Sequence, residues 1–204
     1  GNVSFTGTTV GSGSLLITCA GSWNSNEAFD PTNGSVTFDR IGPQTVTSTN
    51  GHFNNLTIAA TSSVNVLVPL VVAGNLTVNG TLSTASPITV ASGGQTTVNG
   101  TLATTSGLTV NNVLTVLGTL STPNPLDANN TVTIQPQGTL DLGAGAHTFA
   151  SSLTVTGTLI ASGELVFDGN SSMSVSTAAL VTLPDVSMTG TGTLMLSGSQ
   201  PITI

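Results

Sequence analysis

The chain has 204 residues, of which 4% are charged, against about 25% in an average soluble protein. One basic side chain, Arg40, stands against eight acidic ones, giving a formal net charge of −7. A nucleic-acid-binding protein needs clustered lysine and arginine to displace counterions from phosphates, so that class is excluded. The most apolar run, residues 64–73, is far shorter than the roughly 20 residues of a spanning helix, which predicts a chain that does not span a membrane.

The N-terminal part of the chain, up to position 60, is atypical and strand-rich. Strands are predicted at residues 14–20, 35–38, 45–48 and 55–59, and Asn33-Gly34 and Asn50-Gly51 mark tight turns. The lone cysteine, Cys19, is predicted to be a small buried apolar residue. Four of the six phenylalanines and the only tryptophan lie here: Phe5, Trp23, Phe29, Phe38 and Phe53. Because an open end of a repeat array exposes backbone and apolar side chains, residues 1–60 are predicted to be an N-terminal cap or larger first coils.

Residues 61–204 are built from a recurring phrase. It reads Asn-Leu-Thr-Val-Asn-Gly-Thr-Leu at 75–82 and returns in related form at 95–102, 113–120 and 152–159, with a looser copy at 131–140. Its glycines recur at nearly even intervals, at Gly80, Gly100, Gly118, Gly138 and Gly157. A meandering β-sandwich does not require the same sequence at the same position of every repeat. A solenoid does, because each coil buries its apolar face on the next. The sequence therefore predicts an all-β fold, a β-solenoid (parallel β-helix) with regular coils of roughly 19–20 residues.

Alternation within the phrase assigns the two faces of the wall. Side chains of a strand point alternately to its two sides, which places Leu76, Val78 and Leu82 inside and the intervening threonines outside. Similar short runs at 87–90 and 107–110 predict at least two strands in each coil. The constant glycine predicts a bend that needs either a positive φ or close approach of the backbone.

Two stretches resemble known proteins. The segment that runs from Gly21-Ser22-Trp23-Asn24 through Gly34-Ser35-Val36-Thr37-Phe38 to Phe53-Asn54-Asn55-Leu56-Thr57-Ile58 resembles one that precedes solenoid repeats in large bacterial surface proteins. The coils with Gly-Thr-Leu resemble those of filamentous-haemagglutinin-type adhesins. Both resemblances imply an exported protein at the cell exterior.

No catalytic, cofactor-binding or metal-binding residue is predicted, and the chain is not expected to be an enzyme. Glu164 and Asp168, the closest acidic pair of the repeat region, are expected to share neither a strand nor a cleft, whereas glycosidases need paired carboxylates. His52 and His147 lack the spacing of metal ligands and are expected at the surface, His147 in a loop. The stretch 30–34 is expected to be a turn, with a calcium site as the weaker alternative.

The outer face suggests two kinds of modification or binding. Asn-x-Ser/Thr sequences give candidate glycosylation sites at Asn55, Asn75, Asn79 and Asn99. Ice binding would need a Thr-x-Thr pair on every coil. Residues 131–133 and 154–156 supply one, but Asn79 and Asn99 stand where the partner threonine should be.

These observations favour an extracellular structural protein, a subunit of a cell-surface fibre that assembles end to end as a homopolymer. The stretch 201–204 is strand-like and carries no polar cap, and an uncapped solenoid end can template the strands of another chain. Candidate subunit contacts are Val3, Phe5, Ile202 and Ile204. The alternatives are a stalk segment of a large surface adhesin and a carbohydrate- or ice-binding module, with contacts to a cell surface or glycans and no cofactor.

Overall fold

The fold is given by a computed structural model that describes residues 2–5, 15–25, 34–47, 51–170, 173–177, 181–198 and 202–203. Within these ranges the chain forms strands joined by short turns and bends. None of these residues belongs to a helix long and apolar enough to cross a membrane.

The strands are short, and most have three to five residues. The first ten are β1 (Val3–Phe5), β2 (Leu16–Cys19), β3 (Trp23–Ser25), β4 (Ser35–Phe38), β5 (Gly42–Val46), β6 (Gly51–Phe53), β7 (Asn55–Ile58), β8 (Ser62–Val66), β9 (Leu70–Val72) and β10 (Leu76–Val78). The next ten are β11 (Thr81–Thr84), β12 (Ile88–Val90), β13 (Gln95–Val98), β14 (Thr101–Thr104), β15 (Leu108–Val110), β16 (Val113–Val116), β17 (Thr119–Thr122), β18 (Leu126–Ala128), β19 (Val132–Ile134) and β20 (Thr139–Leu142). The last nine are β21 (His147–Phe149), β22 (Leu153–Val155), β23 (Thr158–Ala161), β24 (Leu165–Phe167), β25 (Met173–Thr177), β26 (Val181–Thr182), β27 (Val186–Met188), β28 (Leu194–Gly198) and β29 (Ile202–Thr203).

Three parallel sheets form the walls of a solenoid. Sheet I has the order β1-β3-β5-β8-β11-β14-β17-β20-β23, sheet II the order β2-β4-β7-β10-β13-β16-β19-β22-β25-β28, and sheet III the order β27-β24-β21-β18-β15-β12-β9-β6. Strands β26 and β29 pair separately. From β4 to β25 the chain visits sheets II, I and III in turn, so three strands make one coil, and it completes about seven turns. The predicted all-β solenoid with coils of about 20 residues is confirmed.

The recurring phrase folds as two strands on different walls. Its first copy supplies β10 to sheet II and β11 to sheet I, with the bend at Asn79-Gly80 between them. Leu76, Val78 and Leu82 are fully buried, as the alternation predicted. The third strand of that coil, β12, completes the wall, so each coil has three strands where the sequence predicted at least two.

Like side chains stack on like side chains along the core. In sheet I the register places Leu82 on Leu102 and continues through Leu120, Leu140 and Leu159. Burying a leucine contributes about 1.5–3 kcal/mol relative to leaving it exposed. Because each coil repeats this burial, the apolar columns provide the main stabilisation of the rod.

The corner glycines are required by crowding and not by a positive φ. Among the described residues, a positive φ is found at Gly42, which is not one of the repeated glycines. A Cβ built on Gly100 would lie inside van der Waals contact with the carbonyl oxygens of Gly80 and Asn79. The other members of the set meet backbone oxygens in the same way: Gly80, Gly118, Gly138 and Gly157. Close approach is therefore the reason for the constant glycine, the second of the two predicted causes.

Before residue 60 the described strands join the same three sheets. Strand β4 lies where it was predicted, and β2 and β7 lie within the predicted segments. Strand β5 begins earlier than predicted, at Gly42, because it pairs along its whole length with β8. Asn33 and Asn50 of the two predicted turns lie outside the described residues. The boundary at residue 60 between cap and regular coils stays a prediction.

An aromatic cluster fills the core of these first coils. The ring of Trp23 lies 5.4 Å from that of Phe53 and 6.4 Å from that of Phe38, and Phe38 and Phe53 are themselves 6.4 Å apart. The three rings come from the three sheets and are buried. Cys19 is also buried, as predicted, and its Sγ donates to the Gly21 carbonyl at 3.0 Å. Larger side chains thus replace the Leu and Val of the later coils.

Candidate functional site

The most regular surface feature is a single file of threonines on the outer face of sheet II. The pairing register aligns one threonine from each of eight successive strands: Thr18, Thr37, Thr57, Thr77, Thr97, Thr115, Thr133 and Thr154. Ser176 and Ser197 continue the file on β25 and β28. Strand spacing sets neighbouring hydroxyl groups about 4.8 Å apart. The file is uncharged and runs along the rod.

The neighbouring outward position does not repeat this pattern. Where each strand of sheet II turns the corner, the residue two after the threonine is Asn79, Asn99, Leu117, Gln135 and Thr156 in successive coils. The threonines at the start of the sheet I strands lie on a different wall, as Thr81 does in β11. The face therefore carries one file of threonines and not the paired files that ice binding would require.

The four candidate glycosylation asparagines lie at the ends of interior strands of sheet II, Asn55 and Asn75 where the strands begin and Asn79 and Asn99 just after the strands end. Asn55 Oδ1 accepts from the Asn75 N–H at 2.9 Å, and Asn75 Oδ1 accepts from the Gln95 N–H at 2.9 Å. Asn99 Nδ2 donates to Asn79 Oδ1 at 2.6 Å. These side chains bridge successive coils. A glycan attached to Nδ2 of Asn99 would remove a proton from the bridging amide, and glycosylation of the four stays a prediction.

A groove of about 370 Å³ runs along the outside of sheet I. The floor of the groove is a column of outward side chains of sheet I, and the turns that follow these strands form one side of the groove. The lining includes Asn65, Ser83, Ala85, Ala103, Ser121 and Pro123. The buried hydroxyl groups beside it are internally bonded, since Thr84 and Thr104 each pair with a serine two residues ahead.

The carboxylates are dispersed along the rod. Glu164 and Asp168 are both exposed and lie at opposite ends of β24. Asp127 accepts from Thr148 Oγ1 at 3.1 Å, and Asp141 accepts from Ser121 Oγ at 3.5 Å. Within the described ranges no three His, Cys, Asp or Glu residues group as metal ligands would. The candidate calcium turn at 30–34 lies outside those ranges, apart from Gly34.

The two histidines differ in environment, and the prediction of a surface loop for His147 is wrong. His52 is exposed on β6. His147 is fully buried, because it begins β21 and takes the inward position that Leu165 holds on the next coil. Burial lowers the pKa of the His147 imidazole below its ordinary 6.5, although its hydrogen bond with the Gly143 carbonyl opposes this. The position of His147 in the repeat could have predicted this burial, because His147-Thr148-Phe149 aligns with Leu165-Val166-Phe167.

Three of the four candidate subunit-contact residues lie in strands at the margins of the sheets. Val3 and Phe5 belong to β1, the outermost strand of sheet I, where they align with Trp23 and Ser25. Ile202 belongs to β29 and aligns with Val181 of β26. Ile204 lies outside the described residues. A contact role for the four stays a prediction.

The two ends of sheet II carry exposed apolar side chains. At one end lies β2, with Leu16 81% exposed. At the other lies β28, with Met195 60% and Leu196 40% exposed. Each of the two strands has one described neighbour, β4 and β25 respectively. Backbone N–H and C=O groups of an edge strand are free to pair with a further strand.

No family model, no curated protein and no solved structure matches the chain.

Proposed function

We propose that the chain is a non-catalytic structural protein of the cell exterior, a solenoid subunit of a fibre that assembles end to end through strand pairing. The observation that supports this most is the composition of the two edge strands of sheet II, β2 and β28. Neither β2 nor β28 contains a charged residue or a proline, the devices by which edge strands avoid pairing. Both edges are therefore suited to strand addition.

The register of sheet II favours a coaxial contact. Ile17 begins an inward column that passes through Val36, Leu56 and Leu76 and ends at Leu196. A second copy placed with its β2 beside β28 would set Ile17 on Leu196 and extend the same column. The exposed area of Leu196 would then be buried, and burial contributes about 25 cal/mol per Å². Leu16 and Met195, which take the outward phase of the same strands, would lie side by side on the outer face.

A second version follows from the resemblance to filamentous-haemagglutinin-type adhesins. In it, this chain is a stalk segment of a larger surface protein, and further coils of the same polypeptide cover both edges. The even wall, which carries few charges, suits a spacer equally well. The two versions differ in whether separate chains associate.

Electron microscopy of the purified chain over a concentration series tests the fibre version. Long uniform filaments are expected from the unaltered chain. Leu196→Lys places a charge in the β28 edge and is expected to abolish them. Ser92→Lys, an exposed turn in the middle of the rod, is the matched control and is expected to leave them intact. Dispersed rods at every concentration would overturn self-assembly in favour of the stalk version, and loss of filaments only in Ser92→Lys would indicate lateral contact instead.

A binding module remains the other class of function, and the file of threonines is the observation that favours it. Eight hydroxyl groups in register offer a regular hydrogen-bonding surface to a carbohydrate polymer, whereas a single file does not supply the paired files that ice binding would require. Polysaccharide pull-down by the monomeric chain, lost in Thr97→Val with Thr115→Val, would support this function over the structural one.

A further inference from the structure

We propose that His147 makes one seam of the solenoid acid-sensitive, so that protonation of a single buried imidazole opens the contact between β18 and β21 in sheet III. This property of the rod would be the same whatever the rod is used for. It depends on the way in which His147 replaces a main-chain group in the ladder.

The imidazole takes the place of a carbonyl oxygen. Elsewhere in sheet III the first N–H of a strand donates to the carbonyl just before the next strand, as Ile88 does to Gly107 and Leu108 does to Pro125, each at 3.0 Å. The Leu126 N–H instead donates to His147 Nδ1 at 3.1 Å. The regular pairing of β18 with β21 accordingly covers Asp127 and Ala128 but leaves out Leu126.

These contacts fix the tautomer. Because Nδ1 accepts from Leu126, the ring proton must lie on Nε2, which then donates to the Gly143 carbonyl at 3.2 Å. Both nitrogens are satisfied in the neutral ring only. A second proton on Nδ1 would face the Leu126 N–H, so two donors would meet and neither would have an acceptor.

No carboxylate on the surrounding strands compensates for a charge at this position. Asp127 of β18 bonds to Thr148, and Asp141 of β20 bonds to Ser121, both on the outer face. Glu164 and Asp168, which flank β24, are exposed. Within the described part of the chain, the imidazole bonds to main-chain groups alone. Burial without a counter-charge disfavours the imidazolium.

The closed seam therefore excludes a proton that the open seam accepts. The pKa of His147 is lowered in the closed state, so its contribution to stability is complete above pH 6.5 and is lost as the pH falls from there toward the lower pKa of the closed state. The opening is local because the side chains of the adjoining Ala144 and Ala146 are small and exposed, so they bury little apolar area.

Amide hydrogen exchange on the whole chain tests the proposal. The opening constant of residues 143–149 and of the Leu126 amide, corrected for intrinsic exchange, is expected to rise between pH 7.5 and pH 5.0. Linkage limits the increase to about 30-fold for a group with an open-state pKa near 6.5. His147→Gln can accept from Leu126 and donate to Gly143 without titrating, and is expected to show no such rise. His52→Gln removes the exposed histidine and is expected to behave like the unaltered chain.

A direct titration covers the case in which His147→Gln does not fold. The imidazole ¹³C shifts of the unaltered chain should show His147 titrating below pH 6.5, together with faster exchange at 143–149. An unchanged opening constant at pH 5.0, an equal rise in His147→Gln, or a His147 that titrates at or above pH 6.5 would each overturn the proposal.

Discussion

Gly100 lies at the corner between β13 and β14, where successive coils bring backbone against backbone. Its N–H donates to the Val78 carbonyl at 2.8 Å, and its own carbonyl accepts from the Thr119 N–H at 2.8 Å. A side chain there would have to displace the Gly80 and Asn79 carbonyls, which are themselves part of the stack. The stacked corners thus limit the side chain to hydrogen.

Gly100→Ala is expected to destabilise the fold by about 1–3 kcal/mol, the cost of forcing an extra group into a packed site. Gly107→Ala is the matched control, since a Cβ there would meet only the Pro125 carbonyl at 3.8 Å, an ordinary contact. Urea unfolding of both variants measures the difference. Equal destabilisation of the two would contradict the crowding argument.

At the scale of the strands, the aromatic cluster that links β3, β4 and β6 holds the first coils together. Trp23, Phe38 and Phe53 contribute one ring each, and each ring contacts the other two. A second pair, Phe149 and Phe167, stacks at 5.5 Å between β21 and β24. The two groups are separated by coils with aliphatic cores, so each stabilises its own neighbours.

Trp23→Ala is expected to cost about 3–5 kcal/mol locally, because it empties the largest site of the core. In a stacked array each repeat contacts its neighbours alone, so hydrogen exchange should accelerate in β3 to β6 and stay unchanged in β20 to β24. Leu67→Ala, which shortens an apolar side chain that is 56% exposed, should leave both regions unchanged. Uniform acceleration along the rod after Trp23→Ala would refute this locality.

At the scale of the whole molecule, the rod is a one-dimensional stack in which one coil can take the place of another if the strand register is kept. Strands β7, β10 and β13 follow one another in register, each one coil after the last, so that Leu56, Leu76 and Thr96 align. The chain enters β10 and β13 through similar residues, Gly74-Asn75 and Gly94-Gln95. The Asn55 oxygen that accepts from the Asn75 N–H would be equally placed for Gln95.

Deletion of residues 75–94 removes one coil and is expected to leave a folded, shorter solenoid. The Gly74–Gln95 junction would set β13 on β7, β14 on β8 and β15 on β9. Deletion of residues 75–84 removes half a coil, brings a sheet III segment into the place of a sheet II strand and should abolish cooperative unfolding. Circular dichroism during thermal unfolding measures both. Similar melting of the two deletions would show that phase does not matter.

Much of the fold followed from the repeat, and the exceptions have physical reasons. The inward Leu76, Val78 and Leu82 were predictable because a pleated strand alternates its faces. Thr96 was not predicted to be inside. It is buried in the column between Leu76 and Leu114 because its hydroxyl donates to Asn112 Oδ1 at 2.8 Å, a partner that only the stacking of coils supplies.

The sequence by itself determined the architecture: the period, the inside and outside of the wall, and the position of the bends are local properties of a repeated phrase. Only the tertiary structure decided that the phrase spans two walls, that crowding rather than a positive φ requires its glycine, and that His147 is buried. Each of these depends on what the coil above or below places against a residue. Such contacts join positions a full coil apart in the chain, and a single sequence does not specify which atoms meet there.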